Sequence, residues 1–286
     1  MVEIRAATDD DFDAVFALLE TRSRAAFGVS ELQREHFRHA WGLAERWVAA
    51  DDGTILGYAA LTSAHELSHA ANDADAGDAL LELVEARARD RGFAHLEATV
   101  VPQDEPFDAL VRRNGFTHDR DILRMWRPLN GDLPEPRWPD GVSVRSYADA
   151  DARALHTMLD DEYAGWDEHY ARRPHEDWLA FMTDHEDFDP ELWFLVERDD
   201  RLVACGLHWR TFQQRGWVKD IVVREPGRGK GLAKALLHHA FRAYAERGAT
   251  RVGLKVDSTN PTGAPQLYER AGFVTDQRYG IWIKRL

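Results

Sequence analysis

The sequence predicts an α+β protein built twice, each half a mixed, mostly antiparallel sheet with helices on both faces. Three observations predict it. The chain repeats itself: IRAATDDDFDAVFALL from Ile4 returns as VRSYADADARALHTML from Val144, a shift of 140 residues, and RGFAHLEATV from Arg91 returns as RGATRVGLKV from Arg247, a shift of 156. Strand-like runs succeed one another in each half and then give way to segments of helical period. Between the copies lies LNGDLPEPRWPDG, residues 129–141, whose prolines and glycines sustain neither a helix nor a central strand. The expected division is therefore 1–128, a linker over 129–141, and 142–286.

Taken in order, each copy opens with a short strand, an acidic N-cap and a helix that turns Val15, Leu18 and Leu19, or Leu155, Met158 and Leu159, inward. Strands follow at 46–50 and 54–63 in the first half, and at 192–197, 202–211 and 217–223 in the second. A helix, a strand, a helix and a terminal strand pair complete each copy. RRNGF from Arg112 returns as ERAGF from Glu269 with a shift of 157, so the second copy is slightly longer.

Composition bounds the function. With 286 residues, 44% of them hydrophobic, the chain can bury a core for one large domain or two ordinary ones. No apolar run approaches membrane length, and MVEIRAATDDDF lacks the charged-then-apolar pattern of an export signal. A cytoplasmic protein without a membrane partner is expected. The net charge of −14, from 50 acidic against 36 basic residues, argues against a nucleic-acid partner and slightly favours cationic small molecules. The single Cys205 forms no internal disulfide and, in ACGL on an expected strand, suits a small buried residue.

One stretch carries chemistry: WVKDIVVREPGRGKGLAKALL, from Trp217 to Leu237, which has the form strand, glycine loop, helix. Such a loop leaves backbone N–H groups unpaired at the positive end of a helix, and glycines let a phosphate approach with no Cβ in the way. It is not a P-loop, because Lys230 is followed by Gly231 where Ser or Thr would hold magnesium, and it lacks the spacing of a dinucleotide fingerprint. With Arg228, Gly231 and Ala233 it resembles R/Q-x-x-G-x-G/A, the pyrophosphate loop of the GNAT superfamily of N-acetyltransferases. VDSTNPTGAPQLYERAGF, from Val256 to Phe273, extends the resemblance: Asn260 and Tyr268 match an Asn beside pantetheine and a Tyr facing the thioester sulfur, with one residue more between them than is commonest. The doubled chain is similar to the mycothiol-synthase-like tandem members of that family.

The resemblance implies acetyl-CoA as cosubstrate, no metal, and direct attack by a primary amine, with a small molecule as acceptor. Ile221, Val222 and Val223 would pair with pantetheine, and Arg228, Gly229, Lys230, Gly231, Leu232 and Ala233 would hold the pyrophosphate. Tyr268 suits the acid, since a phenol of pKa about 10 stays protonated at neutral pH. Many members carry a Glu base on the strand before the loop; here Trp217 and Lys219 stand near that place, and Asp220 is the only acid on the strand. A peptide amine as acceptor, or a regulator that binds acyl-CoA without turnover, are the other readings. His169, His175 and His185 fit no closed zinc pattern, and Asp160, Asp161, Glu162, Asp167 and Glu168 have the look of a solvated face.

The first half is expected to support rather than catalyse. At a shift of 156, Gly229 and Gly231 fall on Asp73 and Asp75, and at 157 Tyr268 falls on Val111, so one CoA per chain is expected. The sequence does not encode the oligomeric state; a monomer is compatible with a tandem repeat standing in for a dimer.

Overall fold

The computed structural model describes residues 2–30, 32–166, 170, 172–184, 186–212 and 215–286; His169 and His185 of the histidine-rich stretch lie outside them. It has two compact units, one of residues 1–121 with 278–286 and the other of residues 122–277.

The first unit carries β1 (Glu3–Ala6), α1 (Phe12–Phe27), α2 (Arg34–Gly42), β2 (Glu45–Asp51), β3 (Thr54–Leu61), β4 (Glu66–Ala71), α3 (Ala74–Asp90), β5 (His95–Val100), α4 (Glu105–Arg113) and the start of β6 (Thr117–Pro128). Strands β1 to β4 run antiparallel in sequence order, β4 and β5 are parallel, and residues 280–285 at the chain's end pair antiparallel with β5. Alternation along the strands makes two cores. Val48, Tyr58 and Ala60 pack with Phe12 and Val15 of α1, whereas Ala49, Ala59 and Leu61 pack with Leu80 and Val84 of α3.

The second unit repeats the plan with β7 (Ser143–Ser146), α5 (Ala152–Ala164), α6 (His175–Thr183), β8 (Phe194–Arg198), β9 (Arg201–Phe212), β10 (Arg215–Val223), α7 (Leu232–Glu246), β11 (Arg251–Asp257), α8 (Ala264–Arg270) and the start of β12 (Val274–Arg285). Here β7 to β10 are antiparallel, β10 and β11 parallel, and residues 122–128 of β6 pair antiparallel with β11. Helices α5 and α6 cover one face with Leu195, Cys205 and Val222; α7 covers the other with Phe194, Val218 and Leu254. The sheets are mixed and mostly antiparallel with helices on both faces, as expected.

The repeat extends to its ion pairs. Arg5 donates to both Asp11 oxygens at 2.7 Å, and Asp11 accepts from Thr8 N–H at 2.8 Å, which starts α1. Arg145, Asp151 and Ala148 N–H repeat this before α5 at 2.7, 2.8 and 2.9 Å. The bidentate Arg5 guanidinium holds the Asp11 carboxyl down to about 2.

Four features differ from expectation. Each copy ends in one long strand, β6 or β12, rather than in a strand pair. The units divide within β6 and β12 rather than at residue 128, because Leu123 and Met125 pack with β11 and α7 while Trp282 packs with α3 and β5. Residues 129–141 contain no helix or strand, as their prolines require, but belong to the second unit: Leu129 is buried and its N–H donates to Thr250 O at 2.8 Å. Strand β4 was not foreseen, since ELSHAA offers one large apolar residue, Leu67, to a period-two reading. Among the described residues no helix is long and apolar enough to cross a membrane.

Candidate active site

The site starts from a bulge in β10. Val218 lies opposite His208 and Asp220 opposite Leu207, so Lys219 is an extra residue on this strand. Val218 therefore packs toward α7, while Asp220 reaches toward α5. Tyr244 of α7 clamps the strand just before the bulge: its hydroxyl accepts from Trp217 N–H at 3.0 Å and lies 2.7 Å from Trp217 O. Any Cβ at Gly216 would sit 2.5 Å from the Tyr244 ring, which explains the glycine.

Beyond the bulge the parallel strands part. Their register runs from Arg215↔Arg251 to Val218↔Leu254 and stops. Ile221, Val222 and Val223 remain paired on their other side with Gly206, Cys205 and Ala204 of β9, so the edge of this run toward β11 offers backbone N–H and C=O groups to a ligand.

From Val223 the chain enters the glycine loop. Gly229 and Gly231 adopt φ of 73° and 84°, and a Cβ at either would meet nothing within 4 Å. They are needed for their left-handed backbone, not for want of room. Gly231 caps α7 without a side-chain hydrogen bond, so the first turn, beginning with Leu232 and Ala233, has no built-in anion. The exposed Arg228 donates through Nε to Val223 O at 3.1 Å and pairs with Glu162 of α5. Lys230 is also exposed.

The two groups proposed for proton transfer lie on elements flanking this gap. Tyr268, on α8, is buried, and burial together with the negative charge of Asp220 pushes its phenol well above its ordinary range. Asp220 is buried as well, and its Oδ1 accepts a 2.5 Å hydrogen bond from the Tyr163 hydroxyl on α5. Lys219 Nζ stands 3.7 Å from Oδ2. Asn260 spends its Oδ1 on its own turn, accepting from Thr262 N–H at 2.9 Å and Thr262 Oγ1 at 2.5 Å, so only its amide nitrogen is left to offer.

Tyr163, Glu162 and the pair Tyr170–Asp160, with its 2.5 Å hydrogen bond, were not singled out as site residues. No motif marks them. Asp160 is buried, Glu162 pairs with Arg228 and the exposed Asp161 stands 3.5 Å from Arg172, while Asp167 and Glu168 lie outside the described residues. The remaining readings place simply. Cys205 is buried and free, its thiol pushed up by burial. Trp178 and Trp193 are core, while Trp166 lies 6.0 Å from the Tyr163 ring. Among the described residues no cluster of His, Cys, Asp and Glu could hold a metal.

Residues 152–273 match the family described as Acetyltransferase (GNAT). The chain is 30% identical to the mycothiol acetyltransferase of Streptomyces coelicolor over 94% of its own length and 90% of that protein's. The chain belongs to the GNAT acetyltransferase family. It is an acyl-CoA-dependent N-acetyltransferase. Among solved structures it is similar to a GCN5-related N-acetyltransferase from Sphaerobacter thermophilus, with TM-score 0.78, 28% identity, and coverage of 99% of this chain and 95% of that one. A tandem GNAT protein from the clavulanic acid biosynthesis pathway shares the fold at TM-score 0.73 and 16% identity, covering 100% and 98%. The residues described above fit an acyl-CoA donor: the parted strands leave a backbone edge suited to an extended chain, and the uncapped α7 leaves N–H groups suited to phosphates.

Proposed function

We propose that the second unit transfers an acetyl group from acetyl-CoA to the primary amine of a small molecule by direct attack. The single observation that carries this reading is the placement of Tyr268 and Asp220, buried and within electrostatic reach of each other where β10 leaves β11. Amines of pKa about 10.4 arrive protonated, and Asp220 takes the proton that frees the nitrogen lone pair. The amine adds to the thioester carbonyl, and a backbone N–H of the Ile221–Val223 run donates to the resulting oxyanion. Collapse expels the thiolate, which takes its proton from the Tyr268 hydroxyl, and the proton then shed by the amide nitrogen restores the phenol. Arg228, Gly229, Lys230, Gly231, Leu232 and Ala233 hold the pyrophosphate, chiefly through backbone donors, and Asn260 contributes its amide nitrogen to the pantetheine.

Support for a small acceptor comes from the similarity to mycothiol acetyltransferases over nearly the whole chain. A panel of small primary amines and lysine-containing peptides, assayed for free CoA release, tests it. Release with small amines and not with peptides is expected. A preference for peptides, or acetyl-CoA binding with no amine-dependent release, contradicts the reading.

A further inference from the structure

Asp220 occupies an unusual place for a base. It sits after the bulge, with Trp217 and Lys219 near the positions where a strand carboxylate would be expected, and it is buried with only 9% of its surface exposed. A buried carboxylate needs partners to stay charged and aimed, and a floppy Asp would misplace the accepting oxygen by more than proton transfer tolerates. The structure supplies one strong partner, from a different element. Tyr163, in the last turn of α5, donates to Oδ1 at 2.5 Å, within the range of short, charge-assisted O–H···O⁻ bonds.

The phenol is itself held. Its ring stacks on Tyr170 at 5.6 Å and meets Trp166 at 6.0 Å, and the neighbouring Glu162 pairs with Arg228 of the glycine loop. Tyr163 thus has little freedom to turn away. The other groups whose charge or hydroxyl acts around Asp220 are Lys219 on the same strand, Cys205 on β9, Tyr268 on α8, and Tyr170 after α5. None of these has a hydrogen bond to Oδ1; Lys219 faces Oδ2.

From this geometry we infer that Tyr163 is a positioning residue: by occupying Oδ1 it fixes the Asp220 carboxylate so that Oδ2 is the oxygen that takes the amine's proton. This rests on the reading of Asp220 as the base. Two consequences separate positioning from packing. Removing the hydroxyl should change the pH dependence of turnover, because a carboxylate deprived of a donor holds its proton more tightly. It should also lose its effect once the carboxylate is gone.

The test is a cycle of Tyr163→Phe, Asp220→Asn and the double variant, with pH–rate profiles for amine acetylation and calorimetric affinity for CoA. Tyr163→Phe is expected to lower kcat roughly 10-fold or more and move the acidic limb to higher pH, with CoA affinity unchanged. In the Asp220→Asn background the same substitution is expected to cost nothing further. Should Tyr163→Phe lower the folded fraction, 3-fluorotyrosine at position 163 keeps the packing and makes the hydroxyl a stronger donor; the limb is then expected to move to lower pH. Wild-type kcat and profile in Tyr163→Phe, equal losses in both backgrounds, or an unmoved limb with fluorotyrosine would each overturn the positioning role alone. Wild-type turnover in Asp220→Asn would overturn the base reading and the positioning role together.

Discussion

Between β10 and α7 the chain takes eight residues, 224–231; between β4 and α3, at the same place in the repeat, it takes two, Asn72 and Asp73. The surroundings are alike. In both units the strand before this junction is half of the one parallel pair, and the pairing is short, two residue pairs in β4–β5 and four in β10–β11. What differs is the helix start. Gly231 leaves α7 without a side-chain cap, whereas Asp73 caps α3 by accepting from Ala76 N–H at 2.9 Å. One unit leaves its helix terminus open to an anion, and the other has closed it with a carboxylate of its own.

This comparison corrects the alignment of the two loops. A constant shift of 156 set Asp73 and Asp75 against Gly229 and Gly231, as if glycines had been replaced. In the structure the loop is shortened, Asp73 being the cap itself and Asp75 lying in the first turn of α3. A cavity of about 360 Å³ remains beside this junction, lined by Arg22, His69, Asp73, Gly77 and Arg113 among others. Its cations are already engaged, Arg22 with Asp104 and Arg113 with Asp78. The first unit keeps the fold and lacks the loop, and Val111 stands where the repeat would place Tyr268.

Substitutions in the open junction are expected to have the largest effects. Gly231→Glu puts a carboxylate where Asp73 stands in the first unit, and should lower CoA affinity roughly 10²-fold or more, read by calorimetry. Its Cβ meets open space, so only the positive φ strains the backbone, by about 1–2 kcal/mol, and the variant should remain folded by circular dichroism. Tyr268→Phe should lower kcat roughly 10²-fold with CoA affinity largely retained, in an assay where chemistry limits the rate. Wild-type turnover would make Tyr268 a packing residue like its counterpart Val111.

The buried histidines extend the comparison to stability. His208 in the second unit is buried with neither ring nitrogen hydrogen-bonded among the described residues; burial, and then His239, lowers it to about 3. His69 in the first unit is lowered less, to about 4, and its Nε2 lies 3.0 Å from Gly77 O. For each, the unfolded chain takes up a proton near pH 6.5 and the folded one does not, so stability present above that pH is lost as the pH falls toward the folded value. The slope is about 1.4 kcal/mol per pH unit for each proton. Denaturant melts from pH 7.5 to 4.5 should show this loss, and His208→Phe should flatten part of it. A smaller effect belongs to the closed junction: Asp73→Ala should cost about 1 kcal/mol by loss of the cap and leave CoA affinity unchanged.

Much of this was legible in the sequence because it is local. The glycine loop and the helix after it are set by neighbouring residues, and the strand, acidic cap and helix that open each copy recur at a shift of 140 residues. Strand β4 was hidden because HELSHAA has no alternation a reader can use, its buried His69 taking an apolar place. The destinations of residues 122–128 and 280–285 were hidden for another reason: an apolar strand does not record which sheet edge it will join. Tyr163 was out of reach altogether, since its bond to Asp220 spans 57 residues and depends on a one-residue bulge.

The difference between the two junctions is tested most directly by titrating the full chain with CoA in a calorimeter, alone and as Gly231→Glu. A stoichiometry of one in the wild type, and no measurable binding over the same concentration range in Gly231→Glu, is the result expected if only the uncapped junction accepts the pyrophosphate. Two equivalent sites per chain, or a folded Gly231→Glu that keeps half the wild-type capacity, would contradict it.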